Sequence, residues 1–502
     1  MPPQALAAAA TLLALLPHGN RIELQLDRGG AELIWITDST FHFRRTLNGP
    51  LRPGEEAAHE PVAIAAEDSA SQARLRSRLV EVTIEKQGLK VGVRRTDGTP
   101  LMLDLTEARL EAGGVAWERQ ALPGASFYGL GGRTDAGFDL RGKSVRAEVP
   151  FLLCTCGYGE YHPGAGTYYF DFTDAIRYRI QGPEIDYYFY YGPTPKEVFE
   201  EHNVQRSHAE PWSVATGTNA RFGSWAILKT SLLRMVHGAM STAISPIFNL
   251  AAFNTAPPEL QARARQLGSL VARVYPGTVG LSSFRNQLDT FFGSYIAELQ
   301  DRGFPVWHPL PLQFPDDREG AFHTDEFLLG DEMLVAPFYE PGDRRSVYLP
   351  RGTWTNLETN EATTGPRTIA VETKSLPVFA RNGAIVPLDA PAGMALHYFP
   401  KLGGEFFLLE GDIAEYSQVH AAPALDVMRL EIESKKDRDY QWVVHHVDKP
   451  ASVGFEDRLY REVALLVNLS DRTWFYDAQQ KNLHVRVKVK AGEDCIVNLN
   501  FE

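Results

Sequence analysis

Polar and apolar residues alternate from residue 21 to about residue 200, in short runs broken by Gly, Asp and Pro. Arg21-Ile22-Glu23-Leu24-Gln25-Leu26, Leu79-Val80-Glu81-Val82-Thr83-Ile84 and Leu89-Lys90-Val91-Gly92-Val93 are examples. Successive side chains of a strand face opposite sides of a sheet, so period two with turn residues between runs predicts an antiparallel β-sandwich. Two aromatic runs, 168–172 and 185–191, continue it. Their rings are read first as core and cross-strand packing, with sugar stacking as the alternative. Ahead of these strands lies an apolar stretch, 6–16 (LAAAATLLALL). No Lys or Arg precedes it, no small-x-small cleavage site follows, and it is too short to span a membrane. It predicts a short amphipathic or buried helix in a cytoplasmic protein.

The period changes after Pro193. Pro193-Thr194-Pro195-Lys196-Glu197-Val198-Phe199 reads as a helix start, with Pro in the first turn and Glu near the positive end of the dipole. Helical spacing recurs over 225–240, 258–274 and 283–302, the last carried by Phe284, Leu288, Phe291, Phe292, Tyr295, Ile296 and Leu299. Short apolar runs, 243–248 and 306–310, lie between the helices. That alternation predicts about four βα units on a parallel sheet. From Asp331 the chain returns to short strands, including 347–354, 376–388 and the one-face-charged 483–490. The predicted domains are an N-terminal β-sandwich (1–203), a βα region (204–330), and two C-terminal β domains (331–394 and 395–502).

Composition narrows the chemistry. The chain has 502 residues, 44% hydrophobic and 23% charged, with a formal net charge of −13. That length calls for several cores, and the acidic balance argues against nucleic acid or an anionic membrane as a partner. Three cysteines, Cys154, Cys156 and Cys495, are too few for a disulfide framework and fit a reducing compartment. Cys154 and Cys156 are read as two small buried residues on one strand face, rather than half of a metal site. His308, His323, His397, His445 and His446 are scattered without metal or triad spacing. No cofactor motif is found. The adjacent acids Asp316-Asp317 and Asp331-Glu332 are read as structural turns.

Five ordered motifs resemble glycoside hydrolase family 31. They are Phe127-Tyr128-Gly129-Leu130-Gly131 with Arg133-Thr134 and 139–143, then GPTPKEV at 192–198, FLLGDEMLVAP at 327–337, LPRGTW at 349–354 and PVFARNGAIVPL at 377–388. Gly132 stands where that family usually has Glu. The resemblance implies a (β/α)₈ barrel that hydrolyses α-glycosidic bonds with retention, using two aspartates as nucleophile and acid/base. Yet residues 193–330 number only 138, against about 250 for a complete barrel. Between Pro195 and Trp212 no apolar run ends in Asp, so the nucleophile position is missing with roughly the first half of the barrel. In Val214-Ala215-Thr216-Gly217-Thr218-Asn219, resembling the family's W-T-G-D-N, Thr218 holds the acid/base position and Ala215 the tryptophan position. A threonine hydroxyl is no general acid near neutral pH. Asn249 holds the place of a sugar-binding Asp, with Ala251 and Ala252 in place of two glycines, and Gly277 the place of a sugar-binding His.

The resulting expectation is a truncated barrel remnant between β domains, in a carbohydrate-related binding or assembly protein without its catalytic residues. Its expected partners are an oligosaccharide, and a second copy or another protein covering the open barrel edge. The alternatives are an active α-glucosidase-type hydrolase with a non-standard or partner-completed site, and a carbohydrate-binding module using the aromatic strands.

Overall fold

The computed structural model describes residues 9–52, 59–164, 166–206, 215–216, 223–242, 247–271, 273–275, 281–391, 393–411, 415–456 and 458–501. It divides into two compact units: Met1–Pro211 with His237–Ala243 and Arg302–Phe304, and Trp212–Val236 with Ile244–Asp301 and Pro305–Glu502. β-sheet dominates both.

In the first unit an eight-stranded antiparallel sheet runs in the order Leu12–His18, Arg21–Leu26, Gly30–Trp35, Thr40–Thr46, Glu184–Tyr191, Tyr158–Tyr161, Phe151–Cys154, Phe127–Gly129. A five-stranded sheet (Arg109–Glu111, Gly114–Arg119, Ile176–Ile180, Tyr168–Asp171, Ser144–Arg146) packs with it on a shared core that includes Trp35, Phe41, Trp117, Tyr178 and Tyr187. A third sheet of five strands spans 65–103. The alternation in the sequence is the burial pattern: Ile22 and Leu24 are buried, Arg21, Glu23 and Gln25 exposed. The aromatic run 185–191 is packing, since Tyr187, Tyr188, Phe189 and Tyr190 are all buried.

Two expectations fail in this unit. The apolar N-terminal stretch, where described, is a strand: Leu12–His18 pairs antiparallel with Arg21–Leu26. A partner strand that begins after a two-residue turn supplies backbone hydrogen bonds, and this pairing overrides helix propensity. Cys154 and Cys156 are not two free thiols on a strand face but are bonded to each other. The strand stops at Cys154, and the backbone turns through Gly157 at φ +100°. With that bond, the cysteines no longer argue for a reducing compartment.

The helix opening predicted at Pro193 forms as α1 (Pro195–Gln205). Thr194 caps it, accepting from the Glu197 N–H, while the Glu197 carboxylate accepts from the Thr194 N–H at 2.8 Å. This reciprocal capping satisfies two otherwise orphaned donors.

The second unit holds a parallel sheet ordered Ala215–Thr216, Ile247–Asn249, Arg273–Tyr275. Around these strands run α2 (Trp225–Ala239), α3 (Pro258–Gly268), α4 (Ser283–Asn286) and α5 (Asp289–Arg302). α2 buries Leu228, Leu232, Met235, Val236 and Ala239 at three- and four-residue steps, as its periodicity predicts. The other two helical segments are shorter than expected. α3 ends at Gly268, where an added Cβ would press on Leu281, and the third segment breaks at Gln287, with Ser282 capping its first turn.

The expected fourth βα unit is a correction. Trp307–Pro309 pairs antiparallel with Phe327–Leu329 and so belongs to the following sheet, leaving three parallel strands among the described residues. A three-residue apolar run carries no record of which sheet it will join. That following sheet contains Trp307–Pro309, Phe327–Leu329, Met333–Val335, Val378–Arg381, Arg344–Asn356 and Ala362–Glu372. Two further six-stranded sheets complete the unit. In Asn482–Val489, Leu483, Val485, Val487 and Val489 are buried while Lys488 is exposed, as the one-face-charged pattern predicts.

Candidate functional site

In parallel β/α architecture the chemistry lies at the carboxyl ends of the strands. Asn249 closes Ile247–Asn249 there, beside Tyr275 in register. Thr216 pairs with Phe248 in the neighbouring strand. Thr218 and Gly277 lie outside the described residues, each two positions beyond a strand that adjoins the strand of Asn249. Of the three predicted positions, the one described is Asn249, whose half-buried side chain lies at the carboxyl end of its strand.

The support beneath it is apolar. Leu250, Ala252 and Phe253 form a buried turn; Phe253 stacks on Phe248 at 5.7 Å, and the Gly223 N–H donates to the Ala252 carbonyl at 2.6 Å. A side chain at Gly223 would overlap the Phe253 ring. Tyr275 is 62% exposed. A carboxamide beside a phenol can donate and accept hydrogen bonds with hydroxyl groups.

The shortage of acid here is more general than the motif comparison reveals. Glu259 is the single Asp or Glu between residues 211 and 288. It sits in the first turn of α3, and its carboxylate accepts the Gly342 N–H at 2.7 Å. Simple counting along the chain finds this, and the search for motifs passes over it.

Three of the four adjacent acids read as turns, Asp317, Asp331 and Glu332, are held in hydrogen bonds. Asp317 accepts the backbone N–H groups of Glu319 and Gly320 and the Tyr348 hydroxyl at 2.7 Å. Asp331 receives His308 Nδ1 at 2.9 Å, and Glu332 accepts the Tyr295 hydroxyl at 2.6 Å. In the first unit, Asp139 accepts from Ser126 and Arg141, and Arg133 donates to Asp135 and the Phe138 carbonyl. This motif region is therefore a hydrogen-bonded turn. His445 bridges His397 and Asn360 at 3.0 Å each, and burial depresses both histidines, His397 to about 4.

Burial also pushes the Glu326 and Glu332 carboxyls up to about 8, against the pull of Arg345 on Glu326 and with Asp331 adding to the rise on Glu332. Between the unfolded value of 4.5 and 8, each holds a proton in the fold and releases it on unfolding. Their contribution is complete below 4.5 and lost as pH rises to 8. The second unit's melting midpoint should therefore fall as pH rises from about 4.5 to about 8, as read by scanning calorimetry. Glu332→Gln should flatten that slope, and an unchanged slope would refute the assignment.

The comparisons agree with this architecture. The model of the glycosyl hydrolase family 31 C-terminal domain matches residues 303–386. The chain is 35% identical over 96 residues to an alpha-glucosidase of Saccharolobus solfataricus, covering 19% of this chain and 14% of that protein. It is 30% identical over 171 residues to neutral alpha-glucosidase AB of Mus musculus, covering 30% and 18%. The matched segments thus span less than a fifth of these curated relatives. Among solved structures, a family 31 dextranase of Flavobacterium johnsoniae complexed with glucose superposes with a TM-score of 0.84 at 12% identity, covering 98% of this chain and 100% of that one. A cycloalternan-forming enzyme of Listeria monocytogenes in complex with a pentasaccharide gives 0.80 at 13% identity, covering 98% and 77%. At such identities the likeness is one of fold.

Proposed function

We propose that the chain is a member of glycoside hydrolase family 31 that binds oligosaccharide without catalysis, a reading supported by the family match and the relatives' likeness. One observation carries this reading: the carboxyl edge of the parallel sheet presents an amide and a phenol, while the only acid of residues 211–288 is engaged by a backbone N–H. Retaining hydrolysis needs two carboxyl groups about 5–5.5 Å apart across the scissile bond. The apolar framework under Asn249 is kept and the acids are lost, a pattern that suits binding without cleavage. The sugar-bound state of the structural neighbours supports a sugar ligand. Among the described residues the parallel sheet has three strands, and in this reading a second copy or another protein covers its edges.

Incubation with aryl α-glucosides, α-xylosides and α-galactosides should give no release above the protein-free rate, while calorimetry with malto-oligosaccharides should show saturable binding. Turnover abolished by a single Asp or Glu substitution would overturn the proposal in favour of an active hydrolase. Light scattering should show a species larger than one chain; a monomer would remove the assembly part alone.

A further inference from the structure

Cys154 and Cys156 close a small ring at a junction of the first unit. Cys154, the last residue of Phe151–Cys154, is buried, and Cys156 is half-buried. Thr155 between them is pinned: its N–H donates to the Ser126 carbonyl at 3.0 Å, and its hydroxyl accepts the Ser126 N–H at 2.9 Å. The Gly157 N–H returns to the Cys154 carbonyl at 3.1 Å, and the Gly157 carbonyl accepts the Gly192 N–H at 3.2 Å. Gly192 leads directly into Pro193, the Thr194 cap and α1. The ring therefore touches the segment that starts the helix.

The geometry also distinguishes the two sulfurs. The Cys156 N–H points at Cys154 Sγ, 3.2 Å away. An N–H so placed stabilises negative charge on that sulfur far better than on a bonded one. Cys156, half-buried with its Sγ 3.7 Å from the Leu101 carbonyl oxygen, is the more exposed member, and Cys154 is the natural leaving group.

We propose that Cys154–Cys156 is a reversible thiol–disulfide site for small thiols of the glutathione class, and that its state is transmitted to the turn at Gly192. A thiolate attacks Cys156 Sγ, the S–S bond breaks, and its electron pair passes to Cys154 Sγ, which the Cys156 N–H holds until solvent protonates it. A second thiolate attacks the mixed disulfide on its small-thiol sulfur, releasing the oxidised small thiol and the Cys156 thiolate, which takes a proton. The balance is one protein disulfide and two thiols giving one protein dithiol and one small disulfide.

The test uses the folded full chain, equilibrated in buffers of varied reduced-to-oxidised glutathione ratio, quenched in acid and read by intact mass. A reversible gain of about 2 Da is expected, absent in Cys156→Ser and retained in Cys495→Ser. Hydrogen exchange of amides in 192–198 should speed up by about tenfold on reduction, because the pinned turn opens more often. Three free thiols at every ratio, or a bond that yields only in denaturant, would overturn the proposal. Exchange identical in both states would overturn its second half.

Discussion

Arg119→Met should destabilise the first unit by about 3–5 kcal/mol, the cost of removing one partner from a buried ion pair. Arg119 is 1% exposed. Its guanidinium donates to Glu160 and, at 2.9 Å, to Asp104, and lies over the rings of Tyr178 and Tyr187. The Tyr178 hydroxyl donates to Glu160 as well. Burial by itself would raise the Glu160 pKa, and Arg119 reverses this, holding it at about 2. Without Arg119, two carboxylates face each other in the core. At 2–4 °C per kcal/mol for a unit of this size, the melting midpoint should drop by roughly 6–20 °C.

The loss should shrink below pH 4.5. There the variant's carboxyls take up protons inside the fold. The wild type meanwhile begins to lose the stability that an ionised Glu160 contributes, a loss that runs from 4.5 down to about 2. Arg119→Met combined with Glu160→Gln should recover much of the loss, since a neutral replacement of a whole buried pair is often harmless. A single variant costing under about 1 kcal/mol, or a double variant no better than the single, would contradict this account.

Gly330→Ala should cost the second unit about 2–5 kcal/mol. Gly330 sits at φ +54°, where a Cβ costs about 1–2 kcal/mol. That Cβ would also fall 2.0 Å from Tyr295 Cζ. Moving the ring breaks the Tyr295–Glu332 hydrogen bond, leaving that carboxyl oxygen only the Asp331 N–H, and the lost bond adds about 1–3 kcal/mol. Urea denaturation should show the drop, with Tyr295→Phe reproducing only the hydrogen-bond part. Equal losses in the two variants would mean that the backbone conformation contributes nothing.

How far the fold was legible depends on where its information is stored. The alternation at Arg21–Leu26 is local, and Thr194-Pro195-x-Glu197 writes out a capping box in four letters. Both are read directly. Leu12–His18 has helix-like composition, yet Leu12 is buried and Leu13 55% exposed because a neighbouring strand sets the pairing. The Cys154 pair was misplaced because a strand was continued past its end. Of the site, Asn249 ends the strand Ile247–Asn249. Thr218 and Gly277 fall outside the described residues, and the scarcity of acid around them is plain from the letters alone.

The antiparallel ladder between Trp307–Pro309 and Phe327–Leu329 determines where this molecule tolerates scission. A break at residue 331 would tear two strands from a six-stranded sheet and lay bare the edge of Met333–Val335. A break just before 303 spares every strand of it, the last ending at Arg381. Residues 303–381 therefore hold this sheet whole, and a chain opened just before 303 keeps all six of its strands together.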